Sequence, residues 1–295
     1  MNWTGVIPAI TTPFHADLSV DHEFFGKHCR WLVENGCSGV VALGSLGEGA
    51  TLTFEEKRAV LRTAVAALGD SAPVVAGVSA LSTAEAVEIA RMAAAEGCGG
   101  LMVLPPYVYV GDWREMKAHV AAVFAATSLP CMLYNNPVAY KTDFVPEQVA
   151  ELLVEHENLV AIKESSADVR RVAALRALVG HRLKILVGVD DLIFEAAMAG
   201  AVGWIAGLVN AFPAESVALF DASIRGDRER AFELYQWFLP LLRMDTVPKF
   251  VQLIKLVQEE VGMGSARVRG PRLELTGAEL AEAKAVIATA LANRP

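Results

Sequence analysis

Short, continuously apolar runs alternate along the chain with longer segments in which apolar residues recur at every third or fourth position. A run that is apolar throughout is typical of a parallel strand covered on both faces, and the longer spacing is typical of an amphipathic helix. Eight runs are predicted strands: 6–10, 39–43, 74–78, 100–104, 131–134, 160–163, 185–188 and 203–206. The alternation therefore indicates a series of strand–helix units.

Start and stop signals frame the helices between these runs. Thr53 with Glu56, and Asp112 with Glu115, have the spacing of a capping box, in which each side chain bonds the backbone amide of the other residue. Glycines follow three of the helical segments shortly before the next strand, which is a usual helix stop. The chain thus repeats the order strand, loop, helix, glycine and strand.

The number and size of these units predict the fold. Eight strand–helix units in roughly 225 residues match a TIM barrel, and a doubly wound open sheet is disfavoured because no strand is followed by GxGxxG. Three further helical segments follow, at 227–244, 247–261 and 276–292. We therefore predict an α/β fold, a TIM (β/α)8 barrel over residues 1–225 with a C-terminal helical appendage of about three helices over 226–295.

Composition narrows the class of protein. Of the 295 residues, 54% are hydrophobic and 20% are charged, which suits a large packed core and argues against disorder. The net charge is −8 and no block is rich in Lys and Arg, so we expect neither nucleic acid nor a membrane as a partner. No apolar stretch approaches the ~20 residues of a membrane span and no signal peptide is evident. The four scattered cysteines then indicate a cytoplasmic protein with reduced thiols.

A lysine ends the sixth predicted strand. Lys163 follows the apolar residues 159–162, where an ammonium is costly to bury unless it is paired, and where burial lowers the lysine pKa. A lysine with a lowered pKa is the nucleophile that carbonyl substrates need for Schiff-base formation. The alternative is a side chain that extends to the surface, and this segment alone leaves both interpretations open.

Other strand ends carry groups that suit the same chemistry, and in a TIM barrel these ends meet at the active-site face. The second strand runs into a glycine-rich turn at 44–49, whose consecutive amides can form an anion-binding nest. A carboxylate held there would place the carbonyl of a 2-oxo acid near Lys163. Tyr134 ends the fifth strand, where its phenol suits proton transfer to a carbinolamine, although a lone tyrosine more often bonds backbone.

Three motifs in order resemble those of a known family. The turn GSLGE at 44–48 is similar to the family's GTTGE or GSTGE, YNNP at 134–137 to its YNxP element, and IKE at 162–164 to its IKE or IKD element. The stretch VGVDD at 187–191 resembles its G-x-D stretch. On these motifs, the whole chain resembles the dihydrodipicolinate synthase / N-acetylneuraminate lyase family of class I Schiff-base lyases.

The resemblance implies a role for each matching residue. Lys163 would form the imine with a 2-oxo acid, and Tyr134 would be the acid/base that protonates the carbinolamine. Ser45 would hydrogen-bond Tyr134 and bind the substrate carboxylate together with the amide of Leu46. Tyr107 matches the relay tyrosine that the family contributes across a dimer interface.

The resemblance also implies the surroundings of the site. Gly188 and Ile205 would line the substrate pocket. The expected partner is a small 2-oxo acid or a related carboxylate. The family is usually a dimer of dimers, so a homotetramer is expected. No metal and no organic cofactor would be required, because the lysine imine is itself the covalent catalyst.

Two departures from the family pattern bear on the substrate. The second hydroxyl of the turn is replaced by Leu46, which leaves Ser45 as the only side-chain hydroxyl there. Dihydrodipicolinate synthases carry an arginine two residues after the YNxP proline, and Ala139 stands at that position. Without a guanidinium the bidentate clamp on a second carboxylate is lost, although Lys141 or nearby backbone could partly replace it. This departure argues against lysine biosynthesis.

Loop similarities favour one branch of the family. Residues 108–110, 136–140 and 207–213 resemble a branch that includes deaminases of 1-pyrroline-4-hydroxy-2-carboxylate. There the lysine would attack the C=N carbon, the ring would open, water and ammonia would leave, and 2-oxoglutarate semialdehyde would form. We take this deamination as the leading hypothesis.

Other functions stay open on the sequence. Within enzymes these are dihydrodipicolinate synthase itself and a 2-keto-3-deoxy sugar-acid aldolase or dehydratase. The side chains expected near the mouth of the site indicate a smaller, less hydroxylated ligand: Val108, Val138, Ala139 and Val189. A non-catalytic 2-oxo-acid-binding barrel is a hypothesis of another class, and the presence of both Lys163 and Tyr134 argues against it.

Metal chemistry finds little support in the sequence. The six histidines show no HxH or HxxxH ligand pattern. Glu48 could act as an acid or base, but a role in holding the turn by hydrogen bonds fits the sequence at least as well. Asp190 and Asp191 suggest Mg²⁺ binding, but acids that open a helix are also favoured by its dipole, and we prefer that interpretation.

Overall fold

The computed structural model describes residues 2–107 and 109–295. All eight predicted strands are present there, with ends that shift by a residue or two. The strands are β1 Gly5–Pro8, β2 Val40–Ala42, β3 Val74–Val78, β4 Gly100–Val103, β5 Cys131–Asn135, β6 Leu159–Glu164, β7 Lys184–Val187 and β8 Gly203–Ala206. The helices are α1 His22–Glu34, α2 Phe54–Leu68, α3 Thr83–Ala95, α4 Trp113–Ala125, α5 Pro137–Tyr140, α6 Pro146–Glu155, α7 Arg170–Val179, α8 Ile193–Met198, α9 Pro213–Arg225, α10 Arg228–Leu242, α11 Phe250–Glu260 and α12 Gly277–Ala292.

The strands form one parallel sheet that closes on itself. Neighbours pair in the order β1-β8-β7-β6-β5-β4-β3-β2. The two end strands then meet through a bridge between Ala9 and Val41, where the amide of Ile10 donates to the Val41 carbonyl at 2.9 Å. The predicted TIM barrel is therefore confirmed, and the open doubly wound sheet is ruled out.

Burial on both faces explains the continuously apolar strands. Every residue of β2, β3 and β4 is buried, and Trp204 and Ile205 of β8 are at most 1% exposed. The helices pack their apolar faces onto the outside of the sheet, and the capping boxes predicted at Thr53 and Asp112 both form. Within the described residues, no helix is both long enough and apolar enough to cross a membrane.

Three helices follow α9, as predicted, and a buried ion pair attaches them to the barrel. Lys255 of α11 donates from Nζ to Glu48 Oε1 at 2.6 Å, and the two side chains are 2% and 0% exposed. The amide of Arg269 donates to the other Glu48 oxygen at 2.9 Å. Since Glu48 lies in the glycine-rich turn after β2, the appendage is fixed to the active-site face of the barrel. Its treatment as a separate unit from residue 226 onward stays a prediction.

Candidate active site

The carboxyl ends of the strands open into a cavity of about 630 Å³. All the predicted site residues line it: Ser45, Leu46, Tyr107, Tyr134, Lys163, Gly188 and Ile205. A smaller cavity of about 440 Å³ lies at the amino ends of the strands, and its lining contains neither a lysine nor a tyrosine. The chemistry predicted from the sequence therefore converges on the larger cavity, at the face where TIM barrels carry their active sites.

Lys163 lies on the floor of this cavity. It sits in β6, 7% exposed, and its Nζ is 4.2 Å from the centroid of the Tyr134 ring on the neighbouring strand. Burial lowers the pKa of Lys163, against the opposing attraction of the Asp245, Tyr140 and Asp190 charges. The surface-extended alternative is thus excluded, and the amine is in an environment that favours its neutral, nucleophilic form.

Gly188 makes room for this lysine. A Cβ at Gly188 would lie 2.4 Å from Cε of Lys163 and 2.1 Å from Oγ of Ser165, closer than such atoms approach one another. Any side chain there would displace the lysine or the serine. Ser165 is 2% exposed, which places a buried hydroxyl next to the amine.

Tyr134 presents its phenol beside Lys163. Its hydroxyl accepts a hydrogen bond from Nδ2 of Asn136 at 3.0 Å. Burial raises the pKa of Tyr134 to about 12, so the phenol keeps its proton at neutral pH. A protonated phenol next to the amine is suited to donating a proton to the hydroxyl of a carbinolamine.

The Ser45 hydroxyl bonds Tyr140, which corrects the expected Ser45–Tyr134 hydrogen bond. Tyr140 ends α5, a single helical turn that begins at Pro137 directly after β5. This turn brings the Tyr140 ring to 5.9 Å from the Tyr134 ring and 5.9 Å from the Tyr107 ring, measured between centroids. Tyr140 therefore takes the place beside Ser45 that the sequence assigned to Tyr134, and burial raises its pKa.

Tyr107 lies at the outer side of this tyrosine cluster. It is half-buried, and its hydroxyl accepts a hydrogen bond from Ser79 Oγ at 3.2 Å. It lines the cavity of its own chain, and its contribution to a neighbouring subunit stays a prediction. Three phenols and one serine hydroxyl thus stand in one group above Lys163.

The glycine-rich turn has the geometry of an anion site. The amides of Glu48 and Gly49 donate to the carbonyls of Ser45 and Gly44, which closes the turn. The amides of Ser45 and Leu46 form no hydrogen bond within the described residues, and both residues border the cavity. Two such amides beside a serine hydroxyl suit a carboxylate.

The acidic residues weighed in the sequence have structural roles. Both oxygens of Glu48 are used by Lys255 and by the Arg269 amide, which supports the turn-holding interpretation. Asp190 is fully buried and accepts hydrogen bonds from Trp204 Nε1 at 3.0 Å and from the Leu208 amide at 2.8 Å. It therefore holds the segment after β8 rather than serving a helix dipole. Among the described residues, no group of three His, Cys, Asp or Glu side chains is arranged to hold a metal ion.

The cavity mouth shows how this chain departs from the synthase pattern. Val138, Ala139 and Val189 line it, while Val108 lies outside the described residues. No guanidinium is present at position 139, and Lys141 donates to the carbonyl of Val138 at 3.2 Å. The mouth beside α5 is accordingly more apolar than a bidentate carboxylate site requires.

Sequence reasoning gave no role to several polar residues that line the cavity, among them Tyr140, Asp245 and Arg272. Tyr140 carried a weak signal, since it lies three residues after the YNNP proline. Asp245 and Arg272 lie in the appendage, far along the chain from any strand end, and only its packing onto the barrel brings them to the cavity.

The whole chain matches the model of one family. Residues 2–290 match the dihydrodipicolinate synthetase family. The chain belongs to this family. It is therefore an enzyme, a lysine Schiff-base lyase. Membership of this family also accounts for the position of Lys163 near the end of a barrel strand.

Relatives and solved structures of the family agree with this assignment. The 4-hydroxy-tetrahydrodipicolinate synthase of Desulforamulus reducens is 30% identical over 282 residues, which cover 96% of this chain and 95% of that protein. The same enzyme of Chelativorans sp. is 36% identical over 237 residues, 80% of this chain and 81% of that one. The crystal structure of dihydrodipicolinate synthase from Aquifex aeolicus superposes with a TM-score of 0.93 at 28% identity, covering 97% of this chain and 98% of that chain. A prophage family member of E. coli K12, solved in complex with pyruvate, gives 0.92 at 28% identity and 99% coverage of both chains.

Proposed function

We propose that Lys163 attacks the electrophilic C2 of a small 2-carboxylated substrate and forms an imine with it. The observation that carries the proposal is the buried Lys163 amine, held 4.2 Å from the Tyr134 ring at the floor of the cavity. The amides of Ser45 and Leu46 border the same cavity and would hold the substrate carboxylate. Carboxylate and nucleophile would together fix C2 over the amine.

The tyrosines would handle the protons of imine formation. Attack by the neutral amine on a 2-oxo acid produces a carbinolamine whose hydroxyl must leave as water. Attack on a cyclic imine produces an aminal whose ring nitrogen must leave as an amine, and the Tyr134 phenol is placed to protonate either leaving group. Tyr140, which contacts Tyr134 by its ring edge and bonds Ser45, would return a proton to Tyr134. In this scheme no metal or organic cofactor takes part, since the protonated imine serves as the electron sink.

The substrate that we favour is 1-pyrroline-4-hydroxy-2-carboxylate. Lys163 would add to its C=N carbon and open the ring. Loss of the 4-hydroxyl as water leaves an allylic amine at C5, and isomerisation of the C3=C4 double bond converts this amine into a C5 imine. Hydrolysis of the C5 imine and of the Lys163 imine would then yield 2-oxoglutarate semialdehyde and ammonia, with a net uptake of one water. Ala139 supports this choice, because a substrate with a single carboxylate needs no arginine at that position. The apolar mouth at Val138 and Val189 also suits a compact ring.

A second candidate is 4-hydroxy-tetrahydrodipicolinate synthesis. Two observations favour it: relatives of the chain carry that name, and Arg272 and Lys141 supply cations at the cavity wall that could hold a second carboxylate. The two candidates share the Lys163 imine and differ in the reaction that this imine then undergoes.

Borohydride trapping tests the shared step. The protein is reduced in the presence of pyruvate and its intact mass and peptide map are measured, with Lys163→Ala as the control. An adduct on Lys163 supports the imine, and its absence with pyruvate and with the pyrroline would refute it. Ammonia release from the pyrroline then supports the deaminase, whereas condensation of pyruvate with aspartate semialdehyde, without ammonia release, supports the synthase.

A further inference from the structure

Asp245 brings a carboxyl group from the appendage into the active-site cavity. It ends a short 3₁₀ turn, Arg243–Asp245, that connects α10 to α11. Its carboxyl packs on Gly207, the residue that follows β8, where a Cβ would lie 2.1 Å from Asp245 Oδ1. Glycine at position 207 is therefore what allows the carboxyl to occupy this place.

Asp245 differs from the neighbouring buried acid in having its oxygens uncommitted. The carboxylate of Asp190 is used by Trp204 and by the amides of Gly207 and Leu208. Asp245 makes no side-chain hydrogen bond and no ion pair within the described residues, and it lines the same cavity as Lys163. An acid that shares the cavity with the nucleophile without being bonded to it can contact a substrate bound between them.

Burial and the Asp190 charge raise the pKa of Asp245 well above the usual value for aspartic acid. The Lys163 charge opposes this effect, and that charge is lost when the protonated imine becomes a neutral enamine. A carboxyl group with a raised pKa is able to donate a proton at neutral pH.

We propose that Asp245 is the general acid that protonates the leaving hydroxyl of the substrate once the Lys163 imine has formed. This inference rests on the proposed deaminase function. Loss of a C3 proton to solvent turns the protonated imine into a neutral enamine, whose electron pair then forms the C3=C4 bond as the C4–O bond breaks. The hydroxyl leaves as water with the Asp245 proton, and the Asp245 carboxylate is reprotonated from solvent. Tyr134 would serve the C2 end of the substrate and Asp245 the C4 end.

The variant Asp245→Asn separates this step from imine formation. Asparagine keeps the shape of the side chain but cannot act as a general acid. We expect Asp245→Asn to retain borohydride trapping of pyruvate on Lys163 and deuterium exchange of the pyruvate methyl group, which also shows that the variant is folded. Ammonia release from the pyrroline should fall by about 10²–10⁴-fold. Glu233→Gln is the matched control, because Glu233 of α10 pairs with Arg230 at the surface without lining the cavity, and it should release ammonia like the unaltered protein.

Each other outcome overturns the proposal in a distinguishable way. Ammonia release by Asp245→Asn within a few fold of the unaltered protein would remove the acid role and leave the deaminase in place. Loss of trapping together with turnover would show that Asp245 serves Lys163 rather than the leaving group. If the unaltered protein traps pyruvate but releases no ammonia from the pyrroline, the deaminase fails and this role of Asp245 fails with it, while the imine stands.

Discussion

Lys163 acts as a nucleophile only while its amine is neutral, and its burial makes that state accessible. Because burial lowers the pKa of Lys163 below the usual 10.5, the neutral fraction should rise with pH and reach its midpoint below that value. The initial rate of pyruvate adduct formation should follow the same curve, and Lys163→Ala should give neither adduct nor turnover. The check is a pH series of borohydride trapping, scored by intact mass. A midpoint at or above pH 10.5 would mean that the pKa of the amine is not lowered.

The hydroxyls of Tyr134 and Tyr140 should both be needed for full turnover. Tyr134→Phe should lower turnover by about 10²–10⁴-fold, as expected for a lost acid/base group. Tyr140→Phe should also lower turnover, because it removes the hydroxyl that bonds Ser45, whereas Ser79→Ala removes only a bond to Tyr107. Steady-state kinetics on the three variants would decide the matter. Equal activity of Tyr140→Phe and Ser79→Ala would show that the relay does not pass through Tyr140.

The placement of single residues was predictable where a strand fixes it. Lys163 and Tyr134 end adjacent strands, so the barrel alone brings them to one face. The partner of Ser45 was not predictable, because it depends on how the Pro137 turn directs Tyr140. The position of Asp245 in the cavity could not be predicted for a related reason, because its local sequence does not indicate which face of the barrel it contacts.

Among the contacts between secondary-structure elements, the ion pair that links the glycine-rich turn to the appendage should be the most sensitive to mutation. Lys255→Met leaves Glu48 buried without its cation, and removing one partner of a buried pair costs about 3–5 kcal/mol. The free energy of unfolding of the Lys255→Met variant should therefore fall by about that amount. Urea titration followed by tryptophan fluorescence measures it. Lys249→Met breaks an exposed pair with Glu279 and serves as the control that should change little.

The same variant links stability to binding. Because Glu48 holds the turn that carries the Ser45 and Leu46 amides, Lys255→Met should also raise the KM for the substrate carboxylate. Unchanged stability and KM in Lys255→Met would show that the pair does not hold the turn.

Elements were predictable from local pattern, and their connections were not. Strands buried on both faces and helices with capping boxes can be predicted from a few neighbouring residues, as at Thr53 and Asp112. The ion pair that fixes the appendage joins residues 207 positions apart, and nothing in the sequence around Glu48 or Lys255 indicates that the two side chains pair. Long-range packing of this kind sets the upper wall of the cavity.

At the scale of the whole molecule, exposed apolar side chains gather next to Tyr107. Leu81, Tyr109 and Val110 are 60–70% exposed, and the hydrogen bond from Ser79 to Tyr107 ties together the two loops that carry them. Large exposed apolar side chains grouped on neighbouring loops are typical of a contact between subunits. The homotetramer stays a prediction, and this surface is where we expect one of its contacts.

Oligomeric state and relay can be tested together. The unaltered protein should elute with about four times the chain mass of 31.6 kDa in size-exclusion chromatography with light scattering. Leu81→Glu should dissociate it, because a carboxylate cannot be buried cheaply in an apolar contact, whereas Val154→Glu on α6, 74% exposed, should not. Since Ser45 is bonded by Tyr140 of its own chain, the dissociated variant should still trap pyruvate on Lys163. Loss of trapping on dissociation would instead mean that a neighbouring subunit completes the site, as the family's exchange of Tyr107 implies.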